Sequence, residues 1–315
     1  MNKFMLQKTK ITIGIYALLL VTVIIFGAVS PASFSSGHLL NILRQTAPLG
    51  VVAIGQTLVL LTGGIDLSLG AVISLTNVVA ASLMMGRNEN ILITVFFTLA
   101  IAALIGFING LTILKVKIPP FLVTMAMSLV IEGCYMVYTK GSPKGNIAGG
   151  FRIISDGWLG PLPLAGLIWV GTWLIFAFFL YRTTWGRKVY ASGGNPQAAY
   201  LSGVKTNTIT ITAYVLSSVL AGVAGLMISA YIGVASVGVG NIYTLNSIAA
   251  TVIGGTSFAG GSGGLAGTFA GVLIMSLLQS MMTMLNIPEA GKFVSQGLVI
   301  AIMVAINQNA GKKNT

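Results

Sequence analysis

The chain has 315 residues, 55% of them hydrophobic and only 7% charged, with a net charge of +12 and a mean hydropathy of +0.94. A water-soluble domain averages about 25% charged residues, so this composition excludes one and implies an all-α polytopic membrane protein. No basic stripe interleaved with aromatics occurs, so the positive charge speaks to topology and not to nucleic acid.

In chain order, ten segments reach or approach the roughly 20 apolar residues that a helical span needs. They are 11–29, 39–61, 66–85, 91–114, 119–139, 162–181, 207–232, 244–259, 264–285 and 292–308. Met1–Lys10 is basic, but Ile11–Val29 exceeds the roughly 7–15-residue core of a cleaved signal, and Pro31 follows the one small-residue cleavage site. The first apolar run is therefore read as a span. Glycines interrupt the edges of the third and eighth segments. The whole chain, 1–315, reads as one membrane domain.

Two Gly-rich breaks punctuate the spans, at Thr62–Gly70 and Gly254–Gly264. Gly63, Gly64, Gly254 and Gly255 permit positive φ and close backbone approach. Two readings stand for them: tight turns between adjacent helices, or gating backbone that lines a pathway, which survives at membrane depth only under cover of protein or water. Asp66 is placed to cap the helix that follows, since a carboxylate suits a helix N-terminus. Small residues at Gly222 and Gly225, and at Gly267 and Gly271, suit close helix packing.

Thr184–Gly203 is polar, basic and Gly-rich between two long apolar runs. Such a segment lies in water and is suited to docking a soluble partner. Asn195 as cap, Pro196 at the first helical position and Gly203 beyond the end predict a short helix, Pro196–Leu201. With the N-terminus set in the cytoplasm, eleven Lys and Arg fall inside and six outside. That bias places both termini and 184–203 in the cytoplasm, with six spans before the segment and four after it; divided at the loop 140–163, the ten spans make two five-helix halves. An odd number of spans per half turns related halves upside down, so an inverted repeat is expected. The longest outer loop, 140–163, offers a surface to an outer partner.

Side chains able to carry chemistry are few. The single cysteine, Cys134, excludes an internal disulfide and is expected to pack as a small apolar group. The single histidine, His38, leaves no metal-binding HExxH and reads as a surface or interfacial residue. Gln56, Asn77, Asn109 and Gln279 fall inside predicted spans, where they suit either a hydroxyl-rich solute or a neighbouring helix. Glu132 sits about seven residues, roughly 10 Å, below the outer end of its span. An ionisable group at that depth faces a cavity or a partner, so Glu132 is expected to line the pathway and help select the solute. The alternative is a structural hydrogen bond.

LTGGIDLSLGAV at 61–72, GRKVYASGGNPQAAYLSG at 186–203 and IAATVIGGTSFAGG at 248–261 occur in one order. With them, essentially the whole chain resembles the ribose-type permeases of ATP-binding-cassette (ABC) sugar importers. The resemblance implies about ten spans in the bacterial cytoplasmic membrane and pairing with a second copy or a paralogue. It implies a cytoplasmic ATPase that holds ATP and Mg, for this chain lacks GxxxxGK[ST], and a periplasmic or lipid-anchored sugar-binding protein. No cofactor is expected in the chain itself. The segment Gly186–Gly203 is similar to the family's coupling helix. Carried over, Gly186, Arg187, Tyr190, Gly193, Gly194, Asn195, Ala198, Ala199, Ser202 and Gly203 become contacts with the ATPase. One departure stands out: before MVYTKGSP many relatives carry a basic residue and glycine, where this chain has Glu132-Gly133.

The expected function is inward transport of a monosaccharide or similar small polar solute, with no enzymatic activity in this chain. Ribose, xylose, galactose, galactofuranose and other furanoses all fit. An ion-coupled secondary carrier is the alternative. It would need mid-membrane carboxylates, for which Glu132 and Asp66 are the nearest candidates.

Overall fold

The computed structural model describes residues 3–29, 35–288 and 290–298. Its helices are α1 (Lys3–Val29), α2 (Ser36–Leu61), α3 (Leu69–Met84), α4 (Ile91–Val116), α5 (Pro120–Thr139), the short α6 (Ile153–Asp156) and α7 (Leu164–Arg182). There follow α8 (Thr184–Gly194), α9 (Pro196–Leu201), α10 (Thr206–Ile232), α11 (Asn241–Ile253) and α12 (Leu265–Met284), and then a helix over 290–298. Two two-residue strands, β1 (Trp158–Leu159) and β2 (Leu162–Pro163), pair antiparallel ahead of α7.

Among the described residues, six helices are long and apolar enough to cross a membrane: α1, α4, α5, α7, α10 and α12. The helix α2 is different in kind. It is buried continuously from Thr46 to Leu61, and its apolar content is diluted by Gly, Thr and Gln because protein covers it on all sides. With α10 it forms the centre of the bundle, while Leu92, Phe96, Val137 and Phe178 on the surrounding helices turn outward. Large apolar side chains facing out on every peripheral helix are what a lipid environment selects. The small residues do pack closely: a methyl group on Gly225 would lie 2.7 Å from Cβ of Thr76, and one on Gly222 would lie 3.1 Å from Cβ of Ala102.

The eighth predicted segment is where the fold departs most from expectation. In place of a helix over 244–259, α11 has 13 residues and ends at Ile253, and residues 233–240 ahead of it are not helical. At about 1.5 Å per residue α11 covers roughly 20 Å, well short of a hydrocarbon core of about 30 Å. The non-helical stretch runs alongside α3, whose side chains satisfy its backbone. The Asn77 amide donates to Val234 O (3.2 Å) and Ser229 Oγ (3.0 Å) and accepts from Ser236 N (2.6 Å). Gly240 N donates to Ser74 Oγ at 2.9 Å. Apolar residues at 258 and 259 had extended the expected span into what is a turn; Gly254 and Gly255 end the helix instead.

The segment 140–163 folds back over the ends of α3 and α10. Ile147, Ala148 and Phe151 pack with Ala80, Ala81, Met84 and Ala230 in a cluster of their own. Asp156 there pairs with Arg44 (2.5 Å) and Arg152 (3.3 Å). Cys134 is exposed on α5, contrary to the packed position expected. That helix buries only Val123, Thr124, Ile131 and Tyr135, and Cys134 lies on its open side. The part of the tenth predicted span beyond 298 lies outside the described residues.

Candidate functional site

Two places in the fold concentrate the residues singled out by sequence. The first is a platform on one face, built by α8 and α9. Thr183 caps α8 by accepting from Gly186 N (3.4 Å), and Asn195 caps α9 by accepting from Ala198 N (2.9 Å). The helix predicted at Pro196–Leu201 is thus present, started by Asn195, and followed by Gly203 at φ +83°. Val189, Ser192 and Gly193 on α8 are buried against the bundle. Tyr190 Oη donates to Gly263 O at 2.9 Å. Burial pushes that hydroxyl above its ordinary range, with Tyr181 adding to the effect, so it stays protonated and remains a donor.

Beneath α8 the two Gly-rich breaks meet. Gly261 N donates to Leu61 O at 2.9 Å, and Gly193 sits directly over that pair. A methyl on Gly193 would run into Leu61 O and lie 2.7 Å from Gly261 N; one on Gly260 would lie 2.8 Å from Gly193 O and 2.9 Å from Gly63 N. Main chain meets main chain here, which only glycine allows. Gly63 has φ +80° and Gly255 φ +77°, so both form turns, while Gly64 lies under the Tyr214 hydroxyl and Gly254 against Gly267. Of the ten residues expected to touch a partner, Gly186, Gly193 and Ala199 are buried and Tyr190 bonds inward. They seat the platform. Arg187, Gly194, Asn195, Ala198, Ser202 and Gly203 are exposed, as are Tyr200 (69%) and Leu201 (79%). Sequence reasoning passed over Tyr200 and Leu201. Two large apolar side chains on a six-residue helix that buries only Ala199 were the signal available.

The second place is the polar interior. Asp66 does not cap α3; that position belongs to Ser68. Asp66 is fully buried, and its Oδ1 accepts from Ser68 N (3.0 Å) and Ser68 Oγ (2.6 Å), holding the linker just ahead of the helix. Asn109 Nδ2 donates to the same Ser68 hydroxyl at 3.0 Å. Asn77 is committed to the 229–236 backbone and side chains described above. Gln56 is fully buried, and neither of its amide atoms has a partner among the described residues. These four are embedded in protein.

Gln279 and Glu132 are placed otherwise, each on a cavity. Gln279 lines a cavity of about 760 Å³ between α2, α10 and α12, with Asn41, Arg44, Gln45, Tyr231 and Thr283. His38 is on its wall, its ring 6.2 Å from that of Phe26. Glu132 lines a cleft of about 300 Å³ with Ser128 on α5, Leu67 and Ala71 at the start of α3, and Asn241 and Thr244 at the start of α11. Behind the cleft the starts of α3 and α11 cross. Gly70 N donates to Thr244 Oγ1 (3.0 Å) and Gly240 N to Ser74 Oγ (2.9 Å), so each backbone amide bonds a hydroxyl four residues beyond its counterpart. Among the described residues no group of His, Cys, Asp and Glu could hold a metal ion.

Residues 38–303 match the family model described as branched-chain amino acid transport system / permease component. The chain belongs to this permease family. The permease is 38% identical over 300 residues to the ribose import permease protein RbsC of Escherichia coli (strain K12), covering 92% of this chain and 91% of that protein. It is 35% identical to RbsC of Bacillus subtilis (strain 168), covering 94% and 92% of the two chains. To the galactose/methyl galactoside import permease protein MglC of Escherichia coli (strain K12) it is 32% identical, covering 93% of each. No solved structure matches the chain. The permease is thus a multi-pass membrane subunit of an ABC importer, a transport component and not an enzyme.

Proposed function

We propose that the permease imports a monosaccharide or closely similar polyhydroxy solute across a bacterial cytoplasmic membrane, driven by a separate ATPase docked at α8–α9. The observation that carries this reading is the platform itself. It exposes Tyr200 and Leu201 to a partner while resting, through Gly193, on both Gly-rich breaks at once. A push on α8 is therefore delivered to the linker before α3 and to the turn between α11 and α12. The RbsC and MglC relatives, named for ribose and galactose import, support the sugar class.

In this reading the α8–α9 face is cytoplasmic, as are both termini, and 140–163 faces outward, where a sugar-binding protein delivers solute. The positive-inside count supports that orientation. Ten spans form two inverted halves, supported by the reciprocal bonds at the crossing of α3 and α11. A second copy or a paralogue completes the pathway. ATP and Mg belong to the partner ATPase, and this chain needs no cofactor. Alternating access comes from rocking of the two permease copies as the ATPase closes beneath them. Glu132 and Gln279 are pathway residues; Gln56, Asp66, Asn77 and Asn109 support them from within.

The test is uptake of radiolabelled sugars into proteoliposomes containing the permease, with and without its ATPase and binding protein, and with internal ATP. Accumulation that requires every component is expected. Accumulation by the permease alone under a proton or sodium gradient would overturn the reading and point to an ion-coupled carrier.

A further inference from the structure

We propose that the translocated solute is recognised in the cleft where α5 passes the crossing of α3 and α11, as a neutral polyhydroxy compound whose adjacent hydroxyls donate to Glu132. The proposal rests on the import reading above and names the contact that import would use. Ser128 and Asn241 complete that contact. At about 300 Å³ the cleft sits at the lower end of the range for small-molecule sites.

Several independent observations converge on this cleft. Met125, Ser128, Leu129 and Glu132 all line it, spaced i, i+3, i+4 and i+7, so α5 presents one continuous face. Among the described residues Glu132 has no ion-pair partner. A half-buried carboxylate in a membrane span, with no cation beside it, is matched by neutral donors such as hydroxyls. The opposite wall carries the start of α11, whose partial positive charge suits a carboxylate across the cleft and opposes a cationic solute. Asn241, exposed at that start, offers both an amide donor and a carbonyl acceptor.

On the next turn of α5, Tyr135 is 1% exposed, with its hydroxyl beside Glu132 and Ser74. Ser74 already accepts from Gly240 N and donates to Gly70 O, so it is occupied by the crossing. Together Glu132, Ser128 and Asn241 read a solute with several hydroxyls in fixed relation. None of them forms a covalent bond to it.

The experiment uses the complete transporter in proteoliposomes, with the permease, its ATPase and its binding protein. Radiolabelled D-ribose, D-xylose and D-galactose are compared first. The best of them is then compared with each of its mono-deoxy analogues, for the unaltered permease and for E132A, E132Q, S128A and N241A. The binding protein acts equally on every permease variant, so a change in the ratio of parent to analogue belongs to the permease. For E132A the preference for the parent over at least one analogue is expected to shrink about tenfold or more, the usual worth of a hydrogen bond to a charged group. E132Q, of the same size, is expected to recover part of it, and N241A to lose a smaller part. A preference within twofold of the unaltered value in both E132A and N241A overturns the inference while leaving import intact. Preferential uptake of D-glucosamine over D-glucose that vanishes in E132A overturns the neutral class. If the unaltered assembly imports no sugar, the import reading fails first and this inference with it.

Discussion

Two neighbouring glycines on α8 predict opposite outcomes for the same substitution. In Gly193→Ala the new methyl runs into Leu61 O and lies 2.7 Å from Gly261 N, the two atoms that share a 2.9 Å hydrogen bond. Overpacking costs about 1–3 kcal/mol and loss of the hydrogen bond about 0.5–1.5 kcal/mol. Together they place the seated arrangement of α8 about 2–4 kcal/mol higher, which is roughly a thirtyfold to several-hundredfold shift toward an unseated one. In Gly194→Ala the methyl meets only Gly261 Cα at 3.9 Å, an ordinary contact. The assay is labelling of a cysteine placed at Ser192, which is 3% exposed, in a background where Cys134 is replaced by alanine. Labelling of Ser192→Cys by a water-soluble maleimide is expected to accelerate by at least tenfold with Gly193→Ala and to stay within twofold with Gly194→Ala. Equal rates for the two would refute the main-chain contact as the seat of α8.

Three further outcomes follow from local geometry. Asn195→Ala removes the cap of α9 and is expected to cost about 1 kcal/mol, read as faster hydrogen exchange at the Ala198 amide. Asn77→Ala breaks three hydrogen bonds to 229–236; at about 0.6 kcal/mol each it is expected to cost about 2 kcal/mol in reversible unfolding from detergent. Asp156→Ala, despite its two arginine partners, is expected to cost under about 1 kcal/mol by the same measurement, because its side chain is 43% exposed.

What could be read from the sequence was whatever local chemistry decides. The cap at Asn195 and the proline after it fixed α9, since both act within four residues. The long apolar runs marked α1, α4, α5, α7, α10 and α12 for the same reason. The interrupted α11 was hidden because the groups that satisfy 233–240 are Ser74 and Asn77, more than 150 residues away. A window along the chain sees only that apolar residues continue through 258 and 259. The division among polar residues was equally hidden. Glu132 and Asn109 look alike on their helices, yet one lines a cleft and the other is bound to Ser68. Tyr135 and Asn241 carry no motif, and only the packing of α5 and α11 distinguishes them.

The shortness of α11 has a mechanical consequence. One end of it is pinned at the crossing with α3, and the other ends at the turn that α8 rests upon. It is therefore a lever about 20 Å long with its fulcrum at Gly70 and Gly240. A tilt of only about 5° moves its far end, which packs against Gly267 and Gly271 of α12, by about 2 Å, and the converse holds for a displacement applied at the turn. On the coupling proposed above, a stroke delivered in water at the platform would reach Asn241, on the wall of the cleft that faces Glu132, through the length of this one helix.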